Sequence, residues 1–488
     1  MNRAALSAAV ATALLTLLAG CNVGPNYTRP SVPVGPSWKE QAPWRVASPQ
    51  DSIPKGSWWT MFSDDELNQY EEQALNANQT IEVARNQLEQ ARASARITQS
   101  GLFPQMNAGI SAQRARQSAN RPTSTSTIAA TNADFVVPFN LSWEADVFGG
   151  LRRSVESSNA AYQSSAAALE NVRLLVTSEL AADYFNLREI DAEIAVVGSG
   201  IQYQEKALQL VNNRHAGGIA SGLDVAQQET QLNATRTQAT LLRRQRAQFE
   251  HAIAALMGVP ASSFTLPAKA LSDKAPAIPV GIPADVLERR PDIAQAERLM
   301  AAQNAQIGVA KAAFFPSIGL SGSAGWESRD IAALANAPSA FWALGANVAE
   351  VVLSGGRRKA QLDFARSGYG ASVAGYRQDV LNAFQEVEDG ISGLNILSQA
   401  AETQQQAVDA AQRALNIAND RYVGGLVTYL DVINAEQTLL DNQRLATQLL
   451  GQQLVTSVSL IKALGGGWDA SSLQAVHVNT TLKQALER

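Results

Sequence analysis

The sequence predicts an α+β membrane protein made of two copies of one unit, each joining a β-hairpin to a long helical hairpin. Three observations carry that prediction. Arg214-His-Ala-Gly-Gly-Ile-Ala-Ser-Gly-Leu-Asp-Val-Ala-Gln-Gln-Glu229 and Arg421-Tyr-Val-Gly-Gly-Leu-Val-Thr-Tyr-Leu-Asp-Val-Ile-Asn-Ala-Glu436 nearly repeat each other 207 positions apart, which marks an internal duplication. Two segments alternate apolar and polar side chains with period two, the pattern of strands with unlike faces. After Leu18 no apolar run approaches the ~20 residues that a spanning helix needs, so a bilayer would be crossed by strands.

The N-terminus gives an address. Arg3 supplies a positive start, Ala4 to Leu18 an apolar stretch, and Leu18-Ala19-Gly20-Cys21 a small-residue cleavage site. An ordinary secretory signal is one reading. The sharper one is a bacterial lipoprotein box: residues 1–20 are removed, the Cys21 thiol carries S-diacylglycerol, and the freed amino group is palmitoylated. Several buried chains, at ~0.8 kcal/mol per methylene, anchor stably. Asn22 stands where an inner-membrane retention signal would favour Asp, which fits the outer membrane. Cys21 is the single cysteine, so no disulfide forms even in an oxidising compartment.

Composition excludes other classes. The chain is 46% hydrophobic and 17% charged with a net charge of −5, and no basic stripe invites nucleic acid. His215, His251 and His477 lack ligand spacing, so no metal site is expected. No nucleophile–base set or phosphate loop is present, so no catalytic residues and no cofactor beyond the lipid are expected.

The elements follow in order. Residues 21–63 form a Pro- and Trp-rich lipidated arm without periodicity. The first repeat spans 64–258 and opens with a helix from Asp64 to about Ser100, for which Ser63 and Glu66 make a capping box. Its hairpin covers about 104–148. Met106, Ala108, Ile110 and Ala112 alternate with polar residues, a Thr/Ser-rich loop follows, and Phe135, Val137, Phe139, Leu141 and Trp143 resume the alternation. The second repeat, 284–465, has its hairpin at about 315–354. Such strands suit either a soluble sandwich or a membrane barrel with a wet interior. The inward Asn, Ser and Gly residues are too small to fill a core, and the aromatic residues toward strand ends suit a barrel. Four strands cannot enclose a lumen, so chains must combine.

Each hairpin leads into a proline-free helical segment, Leu151 to about Arg214 and Arg357 to about Arg421. Leu187, Ile190, Ile194, Val197 and Ile201 are spaced as a coiled-coil seam, and a helix of ~64 residues extends roughly 95 Å. Gly198, Gly200, Gly390 and Gly393 are candidate joints. The tips lie near 214–224 and 421–431, and a second helix returns from each. A linker at 259–283 separates the repeats, a tail occupies 466–488, and Arg289-Arg290-Pro291-Asp292 reads as a helix start with Pro in the first turn.

With those residues in view, the chain resembles the outer-membrane factors of tripartite efflux systems, the TolC-like family, and in particular the lipoprotein branch serving resistance-nodulation-division pumps. The resemblance covers nearly the whole chain. Its most specific pieces are Asn22-Val-Gly-Pro-Asn-Tyr27 after the lipid box, Trp58-Trp59…Phe62, Leu287-Glu-Arg-Arg-Pro-Asp-Ile293, Phe314-Phe-Pro316, Arg421-Tyr-x-x-Gly425…Leu430-Asp-Val432 and Ala463-Leu-Gly-Gly-Gly-Trp468.

The resemblance implies a homotrimer in which four strands per chain close a twelve-stranded β-barrel in the outer membrane. That barrel continues into a coiled-coil α-barrel crossing the periplasm, with the linker and tail in an equatorial belt. It implies a passive multidrug efflux duct, not an enzyme, carrying small amphiphiles from the pump and a periplasmic adaptor. A type I protein-secretion duct, or a metal-ion or solvent duct of the same architecture, is the alternative. It also assigns Asp431 to an acidic ring at an iris-like periplasmic aperture, where the family's second acid falls on Asn434, and pairs Tyr422 with Asp224. It places Gly217, Gly218, Gly424 and Gly425 on tips that contact the adaptor. The plain alternative for both aspartates is first-turn stabilisation by the helix dipole, ~0.3–1 kcal/mol each.

Overall fold

The computed structural model describes residues 23–31, 38–39, 57–116, 118, 131–271, 275–276, 278 and 289–467. Cys21, the signal segment, part of the linker and the tail beyond 467 lie outside them. A 3₁₀ turn, Trp58–Phe62, precedes helix α1, Asp65–Ala77. The cap of α1 is Asp64 and not Ser63: Asp64 Oδ1 accepts from the amides of Glu66 (3.0 Å) and Leu67 (3.3 Å), while Ser63, at φ 52°, closes the preceding turn. The predicted single helix is two. Asn78 ends α1 and starts α2, Gln79–Ser100, with its Oδ1 capping the amides of Thr80 and Ile81, as an Asn at an N-cap does.

The sheet has four strand paths. The first is interrupted: β1, Gln105–Ala108, and β2, Ser111–Arg116, both pair with β3, Thr131–Glu144. The break falls beside Pro138, which has no amide to give to the ladder; there Gly109 donates to the Pro138 carbonyl at 3.0 Å. Strand β3 also pairs with β4, Ser317–Ser328, and β4 with β5, Ala340–Ala349, all antiparallel. The strand after the second loop thus stops at Ala349, short of the predicted hairpin end near 354. Register aligns Met106 with Leu141, Phe139 with Ala324, Trp143 with Leu320 and Gly322 with Leu344. One face is therefore apolar across the whole sheet, and it is open, with Trp342 77% and Leu344 80% exposed.

The helical body is set by matched lengths. Helices α3, Gly150–Ala216, and α6, Arg357–Val423, have 67 residues each, about 100 Å of rise. Helices α4, Gly222–Leu256, and α7, Tyr429–Ala463, have 35 each, and α2 and α5, Pro291–Ala312, have 22 each. The long helices run unbroken through Gly198, Gly200, Gly390 and Gly393, so these are not joints. Gly390 instead lets α6 approach α7, since a Cβ there would come within 3.0 Å of Leu460. Among the described residues no helix is long and apolar enough to cross a membrane.

Helix α3 packs on α5 near the sheet, where Ser157 Oγ donates to Ala302 O (3.0 Å) and Ser164 Oγ to Gln295 O (3.0 Å). Farther along it packs on α4 and α7. The short helices meet end to end in a belt. The end of α4 abuts the start of α2, where Asn78 Nδ2 donates to Leu256 O at 2.7 Å; the end of α7 abuts the start of α5, where Arg290 Nη1 donates to Ala463 O at 3.1 Å. Gly465 makes the second junction possible, since a Cβ there would lie 2.1 Å from the Arg289 carbonyl. Pro291 occupies the first turn as predicted. Arg290 does more: 7% exposed, it also pairs with Glu386 and Asp292, both at 2.6 Å.

The belt holds the main core, with Trp58 and Trp59 edge to face at 5.9 Å and Phe62 against Phe185 at 4.7 Å. Arg188 bonds Glu66 (2.6 Å) and Asp191 (3.0 Å), and Arg246 bonds Asp191 (2.6 Å). The arm is pinned at the sheet end. Arg153, 2% exposed, donates to the carbonyls of Val23 and Gly24 and to Asn26 Oδ1, while Asn304 Nδ2 reaches Pro25 O.

Candidate functional site: the helical tips

Both tips are made by the same backbone chemistry. After α3, Gly217 has φ −80° and Gly218 φ +74°, and the Ile219 amide donates to Arg214 O at 2.8 Å. After α6, Gly424 has φ −75° and Gly425 φ +72°, and the Leu426 amide donates to Arg421 O at 2.9 Å. This is the Schellman ending of a helix, whose left-handed residue is normally Gly. Only the second glycine of each pair has the positive φ. All four glycines are exposed, beside Ile219 at 71%, Leu223 at 65%, Val423 at 67% and Leu426 at 72%. The tips thus present bare backbone ringed by apolar side chains.

Asp224 and Asp431 hold equivalent places. Each is the third residue of a returning helix and folds back on its cap: the Ser221 amide donates to Asp224 Oδ2 at 2.9 Å, and the amide and hydroxyl of Thr428 donate to Asp431 Oδ2 at 2.9 and 2.7 Å. Both act as capping-box acids, a use the sequence repeat already contains in Ser221…Asp224 and Thr428…Asp431. Asp431 is exposed, and so is Asn434 one turn on.

Tyr422 is buried within its own chain. It is 8% exposed, its ring lies 4.6 Å from the Arg214 guanidinium and 4.9 Å from the Tyr429 ring, and it packs with Val211, Leu415 and Val432. Burial, and secondarily the Asp224 charge, push its hydroxyl above the usual phenol range, against the opposing pull of Arg214. The structure thus brings Asp224 near Tyr422 without a hydrogen bond between them. His215 turns inward on its own loop, with Nδ1 2.9 Å from Ala220 O, so it does not reach the other tip.

Other residues join the two tips. Tyr429 Oη donates to Gln228 Oε1 (3.0 Å), and Gln228 Nε2 donates to Gln204 O (3.1 Å). Asn419 Nδ2 donates to Tyr203 Oη (2.6 Å), and Gln231 bonds Gln437. Sequence reading missed this set, because polar residues at helical spacing do not say which helix they face. Glu436, 5% exposed, was missed as well. Neither of its carboxylate oxygens has a hydrogen bond, and burial lifts its pKa to about 7.

Comparisons agree with this architecture. The profile of the outer membrane efflux protein family matches residues 71–259 and again 282–466. The toluene efflux pump outer membrane protein TtgF of Pseudomonas putida is 31% identical over 469 residues, 95% of this chain and 97% of its own. The cation efflux system protein CusC of Escherichia coli is 30% identical, covering 92% and 96%. The crystal structure of the Campylobacter jejuni CmeC outer membrane channel superposes with TM-score 0.87 at 25% identity, over 96% of this chain and 98% of that one. The fold of this chain is thus that of an outer membrane channel of known structure, and the chain belongs to the outer membrane efflux protein family, as an outer-membrane efflux channel that extends into the periplasm.

Proposed function

We propose that three copies associate edge to edge, β5 of one beside β1 and β2 of the next, to close a twelve-stranded barrel, and that the assembly is a passive duct for small amphiphilic compounds. The observation that carries this is the open sheet. Among the described residues its apolar face is uncovered and its outer strands lack neighbours, an arrangement suited to lipid only when copies close the ring.

In this reading the helices form the periplasmic tunnel, and the tips are its mouth. Asp431 of each copy contributes to an acidic ring that draws cations and narrows the aperture by repulsion between like charges. Gly217 and Gly424, which the turn does not require, keep the tips bare for the helices of a periplasmic adaptor. A resistance-nodulation-division pump feeds the duct, which catalyses nothing itself. Cys21, lipidated, anchors the arm that Arg153 pins against α3.

Deleting the gene tests the function. Sensitisation to antibiotics, dyes and solvents is expected. Sensitisation to metal ions alone would redirect the cargo to cations, and an unchanged panel with loss of a secreted protein would overturn the reading. Replacing Cys21 by Ser should abolish labelling with radioactive palmitate, and persistent label would remove the lipid anchor from this account.

A further inference from the structure

Glu436 lies on α7 where that helix packs against α3. The polar group facing its carboxyl is the side-chain amide of Gln204 on α3; burial favours the neutral acid and outweighs the opposing pull of that amide toward the carboxylate. Gln204 is itself fully buried, and neither its side-chain oxygen nor its side-chain nitrogen has a hydrogen bond. Four buried polar atoms on two helices therefore have only each other to satisfy, and such groups are normally paired. A neutral carboxyl fits an amide completely, giving its O–H to the amide oxygen and accepting an N–H in return. An ionised one only accepts, which leaves the amide oxygen facing a charge.

Among the described residues no cation relieves that charge. Tyr203 faces Glu436 from α3 and Tyr429 from α7 itself, and both are uncharged. From α4, Gln228 is spent on Tyr429 and Arg236 on Glu205. From α6, Asn419 is bonded to Tyr203 and Tyr422 stacks on Arg214. Along α7, Arg444 is committed to Glu193 at 3.3 Å.

We propose that Glu436 and Gln204 form a protonation-controlled latch on the α3–α7 seam: the neutral carboxyl holds the second tip against the first, and the carboxylate releases it. This inference rests on the reading of the tips as the aperture. The latch lies away from the exposed Asp431 and acts by unpacking helices, where an acidic ring acts by repulsion across the lumen.

The sign follows from the two states. Closed, Glu436 holds its proton up to about pH 7; released into water, it loses it near the ordinary carboxyl value. Closure is therefore favoured at low pH and weakens as pH rises between those values. The opening constant should rise about tenfold per unit from pH 5 to 6.5 and level off above about 7.5.

The test is hydrogen exchange of the full-length protein in detergent, corrected for intrinsic rates, together with conductance in planar bilayers over the same pH range. Peptides spanning Asn419–Glu436 should open with rising pH in the wild type, whereas Glu436→Gln should be flat and protected throughout. Glu189, also raised to about 7, lies fifteen residues up α3 from Gln204, roughly 22 Å away; Glu189→Gln should leave the pH response of the tip intact. Tip exchange that ignores pH in the wild type, or whose pH response survives in Glu436→Gln, overturns the latch. Exchange that behaves as expected while conductance stays constant upholds the latch and counts instead against the aperture reading.

Discussion

At the belt, α3 and α6 are fixed by arginines whose charges are matched: Arg188 to Glu66 and Asp191, Arg246 to Asp191, Arg290 to Glu386 and Asp292. At the tips the same two helices are joined by the Asn419–Tyr203 bond and one cation–π contact, and α4 is tied to α3 and α7 through Gln228; among the described residues the buried acid there has no cation partner. Removing one member of a buried ion pair leaves an uncompensated charge and costs about 3–5 kcal/mol, whereas a neutral hydrogen bond contributes only about 0.5–1.5 kcal/mol net. The belt is thus a fixed collar, and the tips are the part that separates at small cost.

The largest effect expected from this contrast is at Arg290. Arg290→Ala leaves the buried Ala463 carbonyl without its donor and removes two ion pairs to half-exposed acids, so it should cost about 2–4 kcal/mol and lower the yield of folded protein. A thermal midpoint within a degree of wild type would mean that the belt is not the collar described. Tyr429→Phe should come next, leaving Gln228 Oε1 buried without its donor at about 1–3 kcal/mol. Its signature is local: faster exchange around Thr428 with the belt protected as before. Uniformly faster exchange would erase the distinction between the two regions. The smallest effects separate the glycines of one tip. Gly425→Ala forces an L residue to positive φ and should cost about 1–2 kcal/mol, while Gly424→Ala should be near neutral in stability yet weaken adaptor binding. Equal stability losses for the two would show that both glycines serve the turn.

Much of this was legible in the sequence because period and punctuation are local. The proline-free runs became α3 and α6, the Gly-Gly pairs became Schellman tips, and alternation found the strands and their apolar face. Local signals also misled. Gly198 and Gly390 suggested joints, but a helix supported on several sides tolerates a glycine that a single helix would not, and at Gly390 the missing side chain is what α7 packs into. Asn78 was silent because one Asn ending one helix and capping the next looks like any polar residue at helical spacing. The Asn419–Tyr203, Tyr429–Gln228 and Glu436–Gln204 contacts join residues about 200 positions apart, and nothing in a helix's own period says which neighbour a polar side chain will meet.

The end-to-end meetings at Asn78 and Arg290 also turn the belt into a datum line. Because α4 and α7 each butt against a fixed stop and each count 35 residues, both tips fall about 52 Å below it. A seven-residue insertion in α4 alone would push one tip some 10 Å past its twin and tilt the mouth. Length in this protein is therefore a shared quantity: the two tips stay level only when α3 with α4 and α6 with α7 lengthen or shorten in step.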